Sequence, residues 1–247
     1  MISLISILGF VILSSFLGLI DGFLLLWNKK LAYKISLYLV SFAVGALLGV
    51  SFLDLLPESF KSGNEEVLFL STLIGILSFF FIENFLIWHH HHLSKSEFHS
   101  FNYLILFGDS IHNFIDGVLL ALAFSTSFPL GITSFLAVVF HEIPQEIGDF
   151  SILLYGKMKR GKIILYNITT ALTSVIGALV AYFYLSGVQN LIGIVLAFIA
   201  GSFIYISTSD LIPETRKEIK KGRVTFQIIL IILGIFVIWL VGKFLKH

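Results

Sequence analysis

Eight long apolar runs, parted by short polar or basic segments, organise the chain: about 2–27, 35–57, 67–88, 101–125, 130–155, 163–185, 190–212 and 225–244. A helix needs about 20 residues to cross roughly 30 Å of hydrocarbon, so each run predicts one transmembrane helix and the fold class is an all-α integral membrane protein. The first run has no basic flank ahead of it, shows no small-residue cleavage site and carries Asp21, so it reads as a retained helix rather than a signal peptide.

Composition strengthens this reading. Of 247 residues, 57% are apolar and 13% charged, with a mean hydropathy of +0.98, far outside the range of a soluble domain of this length. Cysteine is absent, so a disulfide framework or thiolate metal site is excluded and any bound metal rests on His, Asp, Glu, Asn or Gln. No Gly-rich phosphate loop follows a strand and no nucleophile elbow occurs, which argues against soluble enzymes.

Charge gives the expected orientation. With the N-terminus outside, alternate loops place Lys29, Lys30, Lys34, Lys95, Lys157, Lys159, Arg160, Lys162, Arg216, Lys217, Lys220, Lys221 and Arg223 in the cytoplasm, which is 13 of the 16 basic residues. Such a bias orients membrane proteins; both termini are expected outside. The clustered positive charge lends no support to a nucleic-acid partner. The expected partners are the bilayer and a divalent cation, and a homodimer stays open. Trp27, Trp88 and Trp239 lie near predicted span ends as interface anchors.

One unit occurs twice. The second run ends in Asp54-Leu55-Leu56-Pro57-Glu58-Ser59 and the seventh in Asp210-Leu211-Ile212-Pro213-Glu214-Thr215, with Gly45 and Gly201 nine positions before each Asp. The charge argument runs these two helices in opposite directions, so the copies are related by inverted topology, an organisation common in secondary transporters. The expected division is 1–100 (three helices and a His-rich loop), 101–156 (a central pair) and 157–247 (three helices in the inverted sense), a 3+2+3 arrangement. Asp54 and Glu58 then read as an outer mouth and Asp210 and Glu214 as an inner exit, or equally as solvated helix ends.

The central pair holds the densest polar cluster, GDSIHNFIDG (108–117) and HEIPQEIGDF (141–150). Ionisable groups at the centre of a membrane helix cost on the order of 2.5–3.5 kcal/mol each on insertion scales. His112, Asp116, His141, Glu142 and Glu146 therefore need a compensating partner. Residues four apart share a helix face, so His112 stands over Asp116, His141 over Gln145 and Glu142 over Glu146. His112 and His141 each lie 11 residues into their spans, about 17 Å deep at 1.5 Å per residue. Imidazoles and carboxylates at one depth on neighbouring helices suit one or two divalent cations, with Asn113 as a further oxygen donor. Pro144 is expected to kink its helix, and Gly117 and Gly148 to permit close approach. The run His89, His90, His91, His92, with His99 beyond it, reads as a cytoplasmic metal-capturing loop or an interfacial polar run.

At these residues the sequence resembles the ZIP (Zrt/Irt-like) family of metal-ion transporters, whose fourth span carries an HNxxD motif and whose fifth an HEIPxEIGD motif. The resemblance implies eight spans, a first metal site of His112, Asp116, His141 and Gln145, and a second of Asn113, Asp116 and Glu142 with Gln145 and Glu146 contributing. It implies no resident cofactor, zinc as the first expected cargo with iron, manganese or cadmium as others, uptake into the cytoplasm and an elevator-like motion of one bundle against another. Family members often have His or Glu where this chain has Gln145, a weaker ligand. Two rival readings remain: an intramembrane zinc protease, from which His141-Glu142-x-x-Gln145 departs by one residue of H-E-x-x-H, and a proton-coupled carrier using the same acids.

Overall fold

A computed structural model describes residues 3–27, 29–61, 64–91, 98–155, 158–185, 189–216 and 223–245. They form eight helical rods: α1 (Leu4–Trp27), α2 (Lys29–Val50), α3 (Glu65–His91), α4 (Phe98–Thr126), α5 (Phe128–Tyr155), α6 (Arg160–Val180), α7 (Gln189–Tyr205) and α8 (Arg223–Leu245). Among the described residues, six stretches are long and apolar enough to cross a membrane: Tyr38–Ser59, Glu65–Phe85, Leu106–Thr126, Arg160–Tyr184, Leu191–Leu211 and Val224–Leu245. The described apolar part of α1, Leu4–Ile20, is shorter, and the middle of α5 is loaded with the acids of the central motif. Leu165, Leu172, Phe183, Ile232 and Phe236 are exposed on outer faces, as expected where lipid is the solvent.

Two rods widen at corresponding places. Ser51–Leu55 and Ile206–Leu211 are π-helical turns, followed by α-helical Leu56–Ser59 and Ile212–Arg216. The N–H of Leu56 reaches back to Ser51 and that of Ile212 to Ser207. The cause is the proline after each, Pro57 and Pro213, which has no N–H and whose ring crowds the carbonyl four residues earlier; a wider turn relieves that crowding. Asp54 and Asp210 consequently sit within the widened turn, and the helix continues for another turn beyond each. A third π-helical turn, Ala181–Leu185, ends α6.

Glycine fixes which rods touch. On α2, Gly45 leaves no room for a Cβ against the Ile231 carbonyl of α8, and Gly234 of α8 none against the Phe42 carbonyl of α2. The same reciprocal grip joins α3 to α7 through Gly75 on Phe198 and Gly201 on Thr72, and α4 to α6 through Gly117 on Ser174 and Gly177 on Phe114. In every case the gripped carbonyl lies three residues before the partner's glycine. Small residues let backbones approach where lipid supplies no hydrophobic drive for association, and the contacts place Cα–H groups on carbonyl oxygens. The expected role of Gly117 is thus met; the packing around Gly148 and the side chain of Pro144 lie outside what the structure describes, although the backbone of α5 is helical through both positions. Two bundles result: α1, α4, α5 and α6 pack together, α2 with α8 and α3 with α7, and α2 and α8 also lie along α5.

Candidate metal centre

Four side chains of the central motif converge between α4 and α5. His112, Asp116, His141 and Glu142 are 6%, 3%, 1% and 3% exposed, and one ligand atom from each lies within 4.8 Å of the others. His112 Nε2 is 2.9 Å from His141 Nε2, 3.6 Å from Asp116 Oδ2 and 3.5 Å from Glu142 Oε1; His141 Nε2 is 3.1 Å from Asp116 Oδ2 and 3.9 Å from Glu142 Oε1. A tetrahedral zinc with bonds of about 2.0–2.1 Å holds its ligand atoms about 3.3 Å apart. The separations straddle that value.

Electron pairs face one another here. His141 Nδ1 is 2.8 Å from the Ala137 carbonyl, which can only accept, so the proton sits on Nδ1 and Nε2 presents a lone pair. This backbone contact fixes the tautomer and ring plane as the outer partner of a metal-ligating His commonly does. Asp116 Oδ1 and Oδ2 and Glu142 Oε1 are buried without a hydrogen-bond partner among the described residues. Lone pairs packed this closely in a low-dielectric interior repel unless a cation or protons lie between them, and the donor set of two imidazoles and two carboxylates suits zinc or iron(II).

The surroundings are apolar on one side and tight on the other. Phe79 of α3 meets the His112 ring edge-on at 6.1 Å, and Phe203 of α7 meets His141 at 5.2 Å. On α1, Gly18 makes room for the site: a Cβ there would lie 3.2 Å from Glu142 Cβ and 3.8 Å from Glu146 Cγ.

The other expected site residues divide. Asn113 Nδ2 donates to Asp109 Oδ1 at 2.9 Å, and Gln145 Nε2 approaches the same oxygen at 3.5 Å. Glu142 joins the two imidazoles and Asp116 in the quartet, and the Gln145 amide nitrogen lies against Asp109. Glu146 is 2% exposed, with Oε2 unpartnered among the described residues, beside the quartet rather than in it. Asp54 is buried at the junction of α2, α5 and α8, near Gly242 and Thr133, whereas Asp210 is exposed. Glu58 pairs with Lys61 at 2.7 Å. The side chains of Glu214, His89, His90 and His91, and all of His92, lie outside the described residues, as do the side chains of His99 and Asp21. Two acids escaped the sequence reading. Asp109 carries the amides just described. Glu83, which the sequence leaves without a role, accepts a hydrogen bond from the Tyr205 hydroxyl across the α3–α7 crossing.

A polytopic helical membrane protein with a buried, metal-compatible quartet on two neighbouring helices is a class that includes ion carriers. The family model described as ZIP Zinc transporter matches residues 1–102 and 88–242. The chain is 34% identical to zinc transporter ZIP13 of Pongo abelii over 223 residues, covering 83% of this chain and 66% of that protein. It is 33% identical to human zinc transporter ZIP10 (51% of this chain, 17% of that protein) and 38% identical to mouse zinc transporter ZIP4 (48% and 18%). The chain thus spans about two thirds of the first of these relatives and under a fifth of the others. It belongs to the ZIP zinc transporter family, a family of transporters and not of enzymes, and the protease reading falls with that.

Proposed function

We propose that the protein carries zinc across the membrane into the cytoplasm, with His112, Asp116, His141 and Glu142 holding the ion midway and Asn113, Gln145 and Glu146 serving it as it arrives or leaves. The observation that carries this reading is the convergence of four buried donor atoms within 4.8 Å of one another, with the Asp116 and Glu142 oxygens unpartnered among the described residues. Zinc, iron(II), manganese and cadmium are all accommodated by such donors, and the two imidazoles favour zinc.

Alternating access follows from the packing. All eight rods cross the membrane in this reading, 1–100 and 157–247 being inverted copies around the central pair 101–156. The matched π-helical turns at Asp54 and Asp210, and the matched glycine grips of α2 on α8 and α7 on α3, support that symmetry. Helices α1, α4, α5 and α6 carry the ion as one body against the other four, both termini lie outside, Asp54 and Glu58 guide cations in, and Asp210 and Glu214 guide them out. The histidines from His89 to His92 capture metal on the cytoplasmic side, and transport survives without them.

The test is zinc uptake by the purified protein in proteoliposomes, with iron(II), manganese and cadmium as competitors. Uptake that is selective among these ions and stops when α2 is crosslinked to α5, with zinc binding intact, is the expected result. Wild-type protein that moves no metal, or flux that persists through the crosslink, overturns transport or alternating access respectively.

A further inference from the structure

Asp109 has no place in the quartet, yet it is 5% exposed in the middle of a membrane helix. Its Oδ1 receives the Asn113 amide at 2.9 Å and faces the Gln145 amide at 3.5 Å, and the Asn113 nitrogen also donates to the Asp109 backbone carbonyl at 3.2 Å. A carboxylate and a carbonyl only accept. Both side-chain amides must therefore turn their NH2 groups toward Asp109, and because an amide is planar with its oxygen and nitrogen about 120° apart, each C=O is held in the same plane and turned away from the Asp109 carboxylate. On α4, Asp109 lies one turn below Asn113, His112 directly precedes Asn113, and Asp116 stands three residues beyond it. On the antiparallel α5, Gln145 lies one turn toward Asp109 from His141. Asp116 on α4, and His141 and Glu142 on α5, lie on the side of the two amides away from Asp109.

We propose that Asp109 is a positioning residue that locks Asn113 and Gln145 with their carbonyl oxygens toward the metal centre, converting two otherwise freely rotating amides into fixed oxygen donors. The inference deepens the transport reading and rests on it for the identity of the site. It also gives Gln145 a purpose: an amide can present either its oxygen or its NH2, which cannot ligate, and needs a partner to choose. Oxygen donors favour harder ions, so Asp109 also tunes the site's tolerance of manganese relative to zinc.

The experiment compares wild type with Asp109→Asn and Asp109→Ala, measuring zinc and manganese affinity of the detergent-purified protein by calorimetry and zinc uptake in proteoliposomes. Asn keeps an acceptor oxygen at the same place without the charge; Ala removes it. Partners of this kind cost about 10- to 100-fold in metal affinity when removed. The expected result is that Asp109→Ala weakens zinc binding and raises the uptake KM about tenfold, with Vmax within about twofold, and weakens manganese further still, while Asp109→Asn stays within about threefold of wild type. Equal loss in both variants would assign the effect to charge, and no loss in either would leave Asp109 structural only; each overturns the inference. A variant that merely misfolds lowers Vmax and the binding stoichiometry together and leaves affinity and KM alone, a pattern that also counts against it. Wild-type protein that binds zinc without moving it defeats the transport reading while the calorimetry still decides the role of Asp109.

Discussion

The α4–α5 contact and the α2–α8 contact are both close helix crossings in one apolar protein, and they are built on opposite principles. Between α2 and α8 the closest approach is backbone on backbone: Gly45 and Gly234 remove their own side chains so that two carbonyls are approached from the partner helix. Between α4 and α5 the interface is filled with two imidazoles and two carboxylates whose lone pairs converge. The first crossing is stable as it stands. The second is costly in the membrane by on the order of several kcal/mol unless a cation joins it. The contrast assigns the glycine-gripped pairs to scaffold and the polar pair to ion handling, and it explains why α5 is the helix against which both bundles pack.

Breaking the polar crossing has the largest expected effect. His141→Ala and His112→Ala each remove an imidazole from a four-ligand set, and zinc uptake in proteoliposomes should fall by more than about 100-fold, with the protein still folded by circular dichroism. Breaking the glycine crossing acts on stability instead. Gly45→Val and Gly201→Val would each push a side chain into a backbone carbonyl, and overpacking of this sort costs on the order of 1–3 kcal/mol or more. The melting temperature in detergent should drop by several degrees, with zinc KM in the surviving folded fraction within about twofold of wild type. A Gly45→Val protein with normal stability and altered KM would erase the division of labour.

Where the two principles meet, at α1, the effect should be smaller. Gly18 makes room for the side chains of Glu142 and Glu146 rather than for a carbonyl, so Gly18→Ala should raise zinc KM about three- to tenfold by shifting Glu142, at little cost in melting temperature. Smallest is Tyr205→Phe, which removes the hydrogen bond to Glu83 on the scaffold side. A loss of about 1 kcal/mol in stability and unchanged uptake are expected, read by thermal melts and flux in parallel.

The central pair was legible in the sequence because depth and face follow from counting. His112 and His141 each lie 11 residues into a span, and four-residue spacing puts Asp116 on the same face. Which of these donors meet most closely was less legible, since one residue along a helix turns a side chain by about 100° and the packing of α5 on α4 decides how far each neighbour points inward. Asp109 carries a local signal, four residues before Asn113, but a carboxylate that serves other side chains looks the same in sequence as one that binds metal. The glycines at 45 and 201 marked the repeat without revealing their partners, because Ile231 and Thr72 are chosen by tertiary packing. Pro57 and Pro213 were visible as part of the repeated unit, but the π-helical turns at Asp54 and Asp210 and the helical turn beyond each were not.

X-ray absorption at the zinc edge of the purified, zinc-loaded protein tests the central claim most directly. Binding by the quartet predicts four light-atom ligands at about 2.0–2.1 Å, with outer-shell scattering from two imidazole rings, reduced to one ring in His112→Ala or His141→Ala. A first shell of oxygen alone, or imidazole scattering unchanged in both variants, would place the ion elsewhere and contradict the account.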